Sequence, residues 1–238
     1  MMYFDPLYFL FLIPGLLLGL YAQFKLSGTY RKYMLVPASS GLSGAQAARR
    51  ILDGSGLMDV SVQEIPGNLT DHFDPKKRAL FLSSSNFNER SLAAVGVAAH
   101  EAGHALQQQA AYGPMNVRMA IVPVTNFATQ ASGLILAGSF FLYSMRFISG
   151  PMLSHLLTVG IILFAIVALF QAITLPVEFD ASRRAKEQLF RLGIVNGDDE
   201  RAGVSQVLSA AALTYVAGLV TALLQLAYWI SVATRSRR

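Results

Sequence analysis

The 238-residue chain contains no cysteine. Disulfides, thiolate metal ligands and cysteine nucleophiles are therefore excluded. Charge is scarce as well. Only 14% of residues are charged, against about a quarter in an ordinary soluble domain, while 53% are hydrophobic and the mean hydropathy is +0.45. That shortage argues against a soluble globular enzyme and excludes a disordered chain. It directs attention to apolar runs of about 20 residues that could cross a bilayer. Acidic residues are the rarer sign, 14 against 19 basic, for a net charge of +5. In such a chain the basic excess is first a topology signal. Histidine is rare too, with four in all, so where the chain spends them matters.

Four apolar runs are present, at residues 7–24, about 119–143, 156–174 and about 209–232. Each is long enough to cross about 30 Å of hydrocarbon as a helix. Tyr21, Lys25, Arg118, Tyr143, Tyr228 and Trp229 lie at their ends, where aromatic and basic side chains favour the interface. The first run lacks a basic leader and is read as an anchor, not a cleavable signal peptide. Two polar stretches, 25–118 and 176–208, are separated by two crossings and so share a side. They carry ten and five Lys/Arg, whereas the turn at 144–155 carries only Arg146. The positive-inside rule makes both stretches cytoplasmic. Arg235, Arg237 and Arg238 disagree, so either the last run folds back near Gly218 or the larger bias outvotes them; the second is preferred. Thr125, Asn126, Thr129, Gln130 and Ser132 add polarity to the second run, read as helix–helix hydrogen bonding or as a wet cavity beside the site. Gly15 and Gly19 form a GxxxG that could serve dimerisation.

The expected organisation is an anchor at 1–24, a cytoplasmic unit at 25–118, a transmembrane pair at 119–175, a cytoplasmic helical segment at 176–208, and a last transmembrane helix with a basic tail at 209–238. Ser43 and Gln46 fit a capping box ahead of a short amphipathic helix that Gly54 stops. Residues 60–65 and 79–82 read as strands, 71–75 as irregular backbone, and Asn88 as an N-cap. Residues 91–109 read as one long helix. Pro176 reads as the first turn of a separate helix that Gly193 closes. The fold class is thus a membrane protein, mainly α, with about four transmembrane helices and a small α+β zincin-like cytoplasmic unit.

The chemistry lies in His100-Glu101-Ala102-Gly103-His104. Two histidines four apart on a helix share a face and can hold one ion, here Zn2+. Zinc acidifies a coordinated water, and Glu101, one residue on, can act as its general base without ligating the metal. Zinc needs a third protein ligand. His155 falls across the membrane. Glu178, just beyond the third apolar run, is the preferred candidate, and Asp180 ranks below it. His72 is either a donor to the oxyanion of the tetrahedral intermediate or a turn residue bonded to its neighbours. Residues 79–82 could form an edge strand that a peptide extends. Arg183 and Arg184 read as a solvated face or as contacts to acidic substrate or lipid head groups, and residues 76–78 as a basic turn near an anionic membrane. Nothing suggests nucleic-acid binding.

His100–His104 with the preceding residues 90–99, together with residues 71–75 and 175–185, resembles the bacterial membrane zinc metallopeptidases of the YugP type. The resemblance covers residues 25–192 and the membrane layout. It implies a zinc-dependent peptidase in the bacterial inner membrane, and the positive-inside reading turns its active site to the cytoplasm. The resemblance leaves the substrates poorly defined; peptides or membrane proteins are the expected ones, and a site at the bilayer surface suits turnover of misfolded membrane proteins. The layout is more distantly similar to HtpX-type peptidases, which pair HExxH with a Glu ligand in a later ExxxD. Here the position four after Glu178 is Ser182, so a carboxylate supporting a ligand histidine does not carry over; Ser182 or Asp180 could orient one instead. Two rival readings remain at this point. One is a site-2-type intramembrane protease using Leu52-Asp53-Gly54, which precedes the motif and closes an Arg-containing helix. The other is a membrane adaptor without activity.

Overall fold

The computed structural model describes residues 6–236. It is mostly helical, in the order α1 (Pro6–Met34), α2 (Gly44–Asp53), β1 (Ser61–Ile65), β2 (His72–Asp74), β3 (Ala79–Ser83), α3 (Ser84–Asn88), α4 (Leu92–Gln109), α5 (Gly113–Ser144), α6 (Gly150–Arg191) and α7 (Gly197–Ser236). Residues cluster into two compact units, one built from Ala22–Asn116 with Pro176–Thr214, the other from Val117–Leu175 with the stretches up to Tyr21 and from Tyr215.

The second of these units is the apolar one. Helices α1, α5, α6 and α7 are each long and apolar enough to cross a membrane. Large apolar side chains such as Leu17, Phe127, Leu134 and Phe141 stand exposed on them. Leu136, Leu153 and Leu157 pack inside, joined by Trp229 and Val232. Gly15 packs against Thr221, whose hydroxyl donates to the Gly15 carbonyl at 3.3 Å, so this glycine serves a contact within the chain. The hydroxyls of Thr125, Thr129 and Ser132 bond carbonyls of their own helix. Helix α7 runs unbroken through Gly218, so the fold-back is absent. Arg237 and Arg238 lie outside the described residues.

The first unit carries the polar chemistry. Helix α2 opens with the expected capping box: Ser43 Oγ accepts from Gln46 N at 3.3 Å while Ser43 N donates to Gln46 Oε1 at 2.9 Å. Its apolar face of Ala47, Ala48, Ile51 and Leu52 is buried, and it packs on α4. Helix α4 is capped by Ser91, whose Oγ accepts from Ala94 N at 3.2 Å; the cap is Ser91 and not Asn88, which ends the short helix α3. Alanine dominates its first half, combining the best helix propensity with a side chain small enough to be covered on every side. Leu92, Ala93, Ala94, Val95, Ala98 and Ala99 are all buried.

The sheet has the order β1-β3-β2. Strand β3 is therefore central, pairing parallel with β1 and antiparallel with β2. This corrects the edge-strand reading of residues 79–82: residues 79–81 are paired on both sides and Leu82 on the β1 side. Residues 72–74 form a strand where irregular backbone was expected, and Asp71 anchors its start by accepting from Ser83 N and Asn86 Nδ2, both at 2.8 Å. Pro176 does not start a helix. Helix α6 continues through it, because Val177, Ala181, Ala185 and Leu189 keep one buried stripe at helical spacing beyond the proline. Gly193 adopts φ 61° just after the helix ends.

Candidate active site

Helix α4 presents His100 and His104 on one face, with ring centroids 4.8 Å apart and nearly perpendicular. Glu178 reaches them from α6. Its Oε2 lies 3.2 Å from His100 Nε2 and 3.6 Å from His104 Nε2. One ligand atom from each of the three lies within 4.8 Å of the other two. Glu178 and His104 are buried, at 2% and 8% exposure, and His100 is partly so.

The two helices can approach this closely because residue 103 has no side chain. A Cβ on Gly103 would sit 2.5 Å from the carbonyl oxygen of Ala181. The glycine of the motif thus sets the distance between the histidine helix and the carboxylate helix.

Each imidazole is held by its other nitrogen. His100 Nδ1 lies 3.1 Å from Ser182 Oγ, and His104 Nδ1 lies 2.9 Å from Gln107 Oε1. An amide oxygen only accepts, so His104 Nδ1 is the protonated nitrogen and, in the neutral ring, Nε2 carries a lone pair. That lone pair faces a carboxylate oxygen. Two acceptors confront each other across the site, and either a proton or a cation must lie between them. Burial opposes charging His104, yet the adjacent Glu178 carboxylate, helped by Glu101 and the bond to Gln107, holds the imidazole above its usual range.

A divalent metal fits. Ligand atoms about 2.0–2.1 Å from a tetrahedral zinc stand about 3.3 Å from one another, close to the observed 3.2 and 3.6 Å separations from Glu178 Oε2. Two imidazole nitrogens and one carboxylate oxygen form a set that catalytic zinc uses, leaving a position open. Glu101 is buried, and it feels the charges of both histidines and of Glu178. Burial pushes its carboxyl up, and the imidazoles only partly offset this.

The other candidates stand apart from this cluster. Asp180 does not join it. Its carboxylate accepts from Gln107 Nε2 at 3.0 Å and Arg184 Nε at 2.6 Å, and it pairs with Arg183. Arg183 also pairs with Glu187, so these arginines are tied to acidic neighbours on their own helix. Asp53 pairs with Arg49 at 2.8 Å, and His155 Nδ1 lies 2.7 Å from its own helix's Pro151 carbonyl. His72 is exposed on β2, stacked on Phe81 at 4.9 Å, with Nδ1 2.9 Å from the Thr70 carbonyl. Gln107 is the residue that sequence reasoning missed. Its one signal was its position, three after His104 and so on the same helix face.

No solved structure matches the chain. It is similar to the "Putative membrane protease YugP" of Bacillus subtilis (strain 168), with 45% identity over 230 residues, covering 96% of this chain and 98% of the relative. With residues 8–234 matching the family described as "Putative neutral zinc metallopeptidase", the chain belongs to that family.

Proposed function

We propose that the protein is a membrane-bound zinc endopeptidase that hydrolyses peptide bonds, with His100, His104 and Glu178 holding the metal and Glu101 as general base. The observation that carries this reading is the convergence of three ligand atoms from two helices, with a buried carboxyl beside them. Zinc bound there supplies Lewis acidity toward a water and the substrate carbonyl. The chain's own part is to place and move protons. Glu101, its carboxyl raised by burial, is suited to take a proton from the attacking water and return it to the leaving amine. His72 gives its Nδ1 proton to the Thr70 carbonyl, so its Nε2 can serve a substrate oxyanion as a donor only in the doubly protonated ring; in that form His72 is the candidate oxyanion donor, on a strand that packs against α4.

The four long apolar helices support a membrane location, and the bias of basic residues toward the two polar stretches supports a site facing the cytoplasm at the inner membrane. Peptides or membrane proteins are the substrates that such an arrangement suits, in turnover of misfolded membrane proteins.

The test is the Glu101→Gln variant, purified in detergent and assayed on an unstructured protein. It should keep its zinc and lose cleavage by about two to four orders of magnitude. Cleavage at the wild-type rate would remove Glu101 from the base role.

A further inference from the structure

We infer that Gln107 is a positioning residue of the metal site, carrying the hold of Asp180 and Val177 to His104 and thereby fixing which imidazole nitrogen meets the metal. This rests on the zinc reading above and adds to it a residue and a tautomer.

Gln107 is fully buried, at 0% exposure. Its amide can make four hydrogen bonds, two given and two received. Nε2 donates to the Val177 carbonyl at 2.7 Å and to Asp180 Oδ2 at 3.0 Å. Both partners only accept, so the amide cannot be turned round: the reversed form would set its oxygen against a carbonyl and a carboxylate inside the protein. Oε1 must then face His104, which donates from Nδ1. The ring is left with Nε2 directed at Glu178.

Asp180 is itself pinned, since Arg183 and Arg184 both donate to it. The chain of contacts therefore runs from two arginines through Asp180 and Gln107 to His104. A carboxylate touching the imidazole directly would pull on its proton. The interposed amide orients the ring while keeping the negative charge one residue away. His100 has a looser arrangement, a single serine hydroxyl that rotates.

The experiment titrates metal-free protein in detergent with Co2+, read by its visible absorption, and with Zn2+, read by displacement from a coloured chelator. Q107M fills about the same space with only a weak thioether acceptor and no N–H donors, and should bind both metals about ten- to a hundredfold more weakly, with an altered cobalt spectrum. Q107E keeps an oxygen for His104, but its protonated carboxyl has one O–H to give where the amide gives two N–H, so it should bind more weakly than wild type and more tightly than Q107M; binding as weak as Q107M would count against the inference. If Gln107 only clamped α4 to α6, Q107M would lower the melting temperature of the metal-free protein while leaving affinity and spectrum unchanged; that result would overturn the inference. Should Q107M not fold, D180A removes one of the two anchors of the amide and should weaken binding about threefold or more, and unchanged affinity would count equally against the inference. Wild-type protein that binds neither metal would overturn the zinc reading itself, and this inference with it.

Discussion

Gly103 and Ala181 are in backbone contact: a Cβ on the glycine would lie 2.5 Å from the alanine's carbonyl oxygen. The contact joins the helix that carries both histidines to the helix that carries Glu178. Gly103→Ala must push the helices apart or distort one of them, at a cost of about 1–3 kcal/mol. Thermal unfolding should show the loss of stability, and zinc content should fall with it. A variant with wild-type stability and full zinc would show that the two helices have slack.

Glu178 and Asp53 separate two architectures of metal site. Zinc should be lost from Glu178→Ala, because the remaining two imidazoles lack the oxygen that lies 3.2 and 3.6 Å from them. Asp53→Ala should keep it, since Asp53 is paired with Arg49. Metal analysis of the two purified variants decides the matter. Loss from Asp53→Ala would move the third ligand to the end of α2.

Metal removal should destabilise the first compact unit. A ligand that binds only the folded state at a hundred times its dissociation constant adds about 2.7 kcal/mol. Chelation should therefore lower the melting temperature, and added zinc should restore it. In Glu178→Ala the zinc-dependent increment should vanish, and its persistence would mean that the stabilising metal sits elsewhere.

Gly44 tests the packing beneath the site. A Cβ there would lie 2.0 Å from the Asn86 carbonyl and 2.9 Å from that of Ala94. Gly44→Ala should destabilise by about 1–3 kcal/mol or more, through displacement of α2 from α4. Urea unfolding checks this, and the zinc affinity of the protein that remains folded should be unchanged. An equal drop in affinity would tie the site to α2.

Local rules account for much of what could be read in advance. The capping box at Ser43, the helix across residues 91–109 and the shared face of His100 and His104 depend on neighbours within a few residues, and they form as expected. Errors arose where a local signal has two meanings. Pro176 is compatible with a first helical turn and with a helix that passes through it, and the buried stripe from Val177 to Leu189 selects the second. Residues 79–82 read correctly as a strand, but strand order depends on partners distant in sequence, and β3 lies between β1 and β2.

The sequence by itself determined the apolar runs, the helix-borne histidine pair and the absence of thiolate chemistry, because composition and helical spacing are properties of the chain as written. Only the tertiary structure decided that Glu178 completes the cluster while Asp180 serves His104 through Gln107. These two carboxylates stand two residues apart on one helix, so their side chains leave it in different directions. What each one meets depends on how closely α4 approaches α6, a distance set by the bare backbone of Gly103 against Ala181.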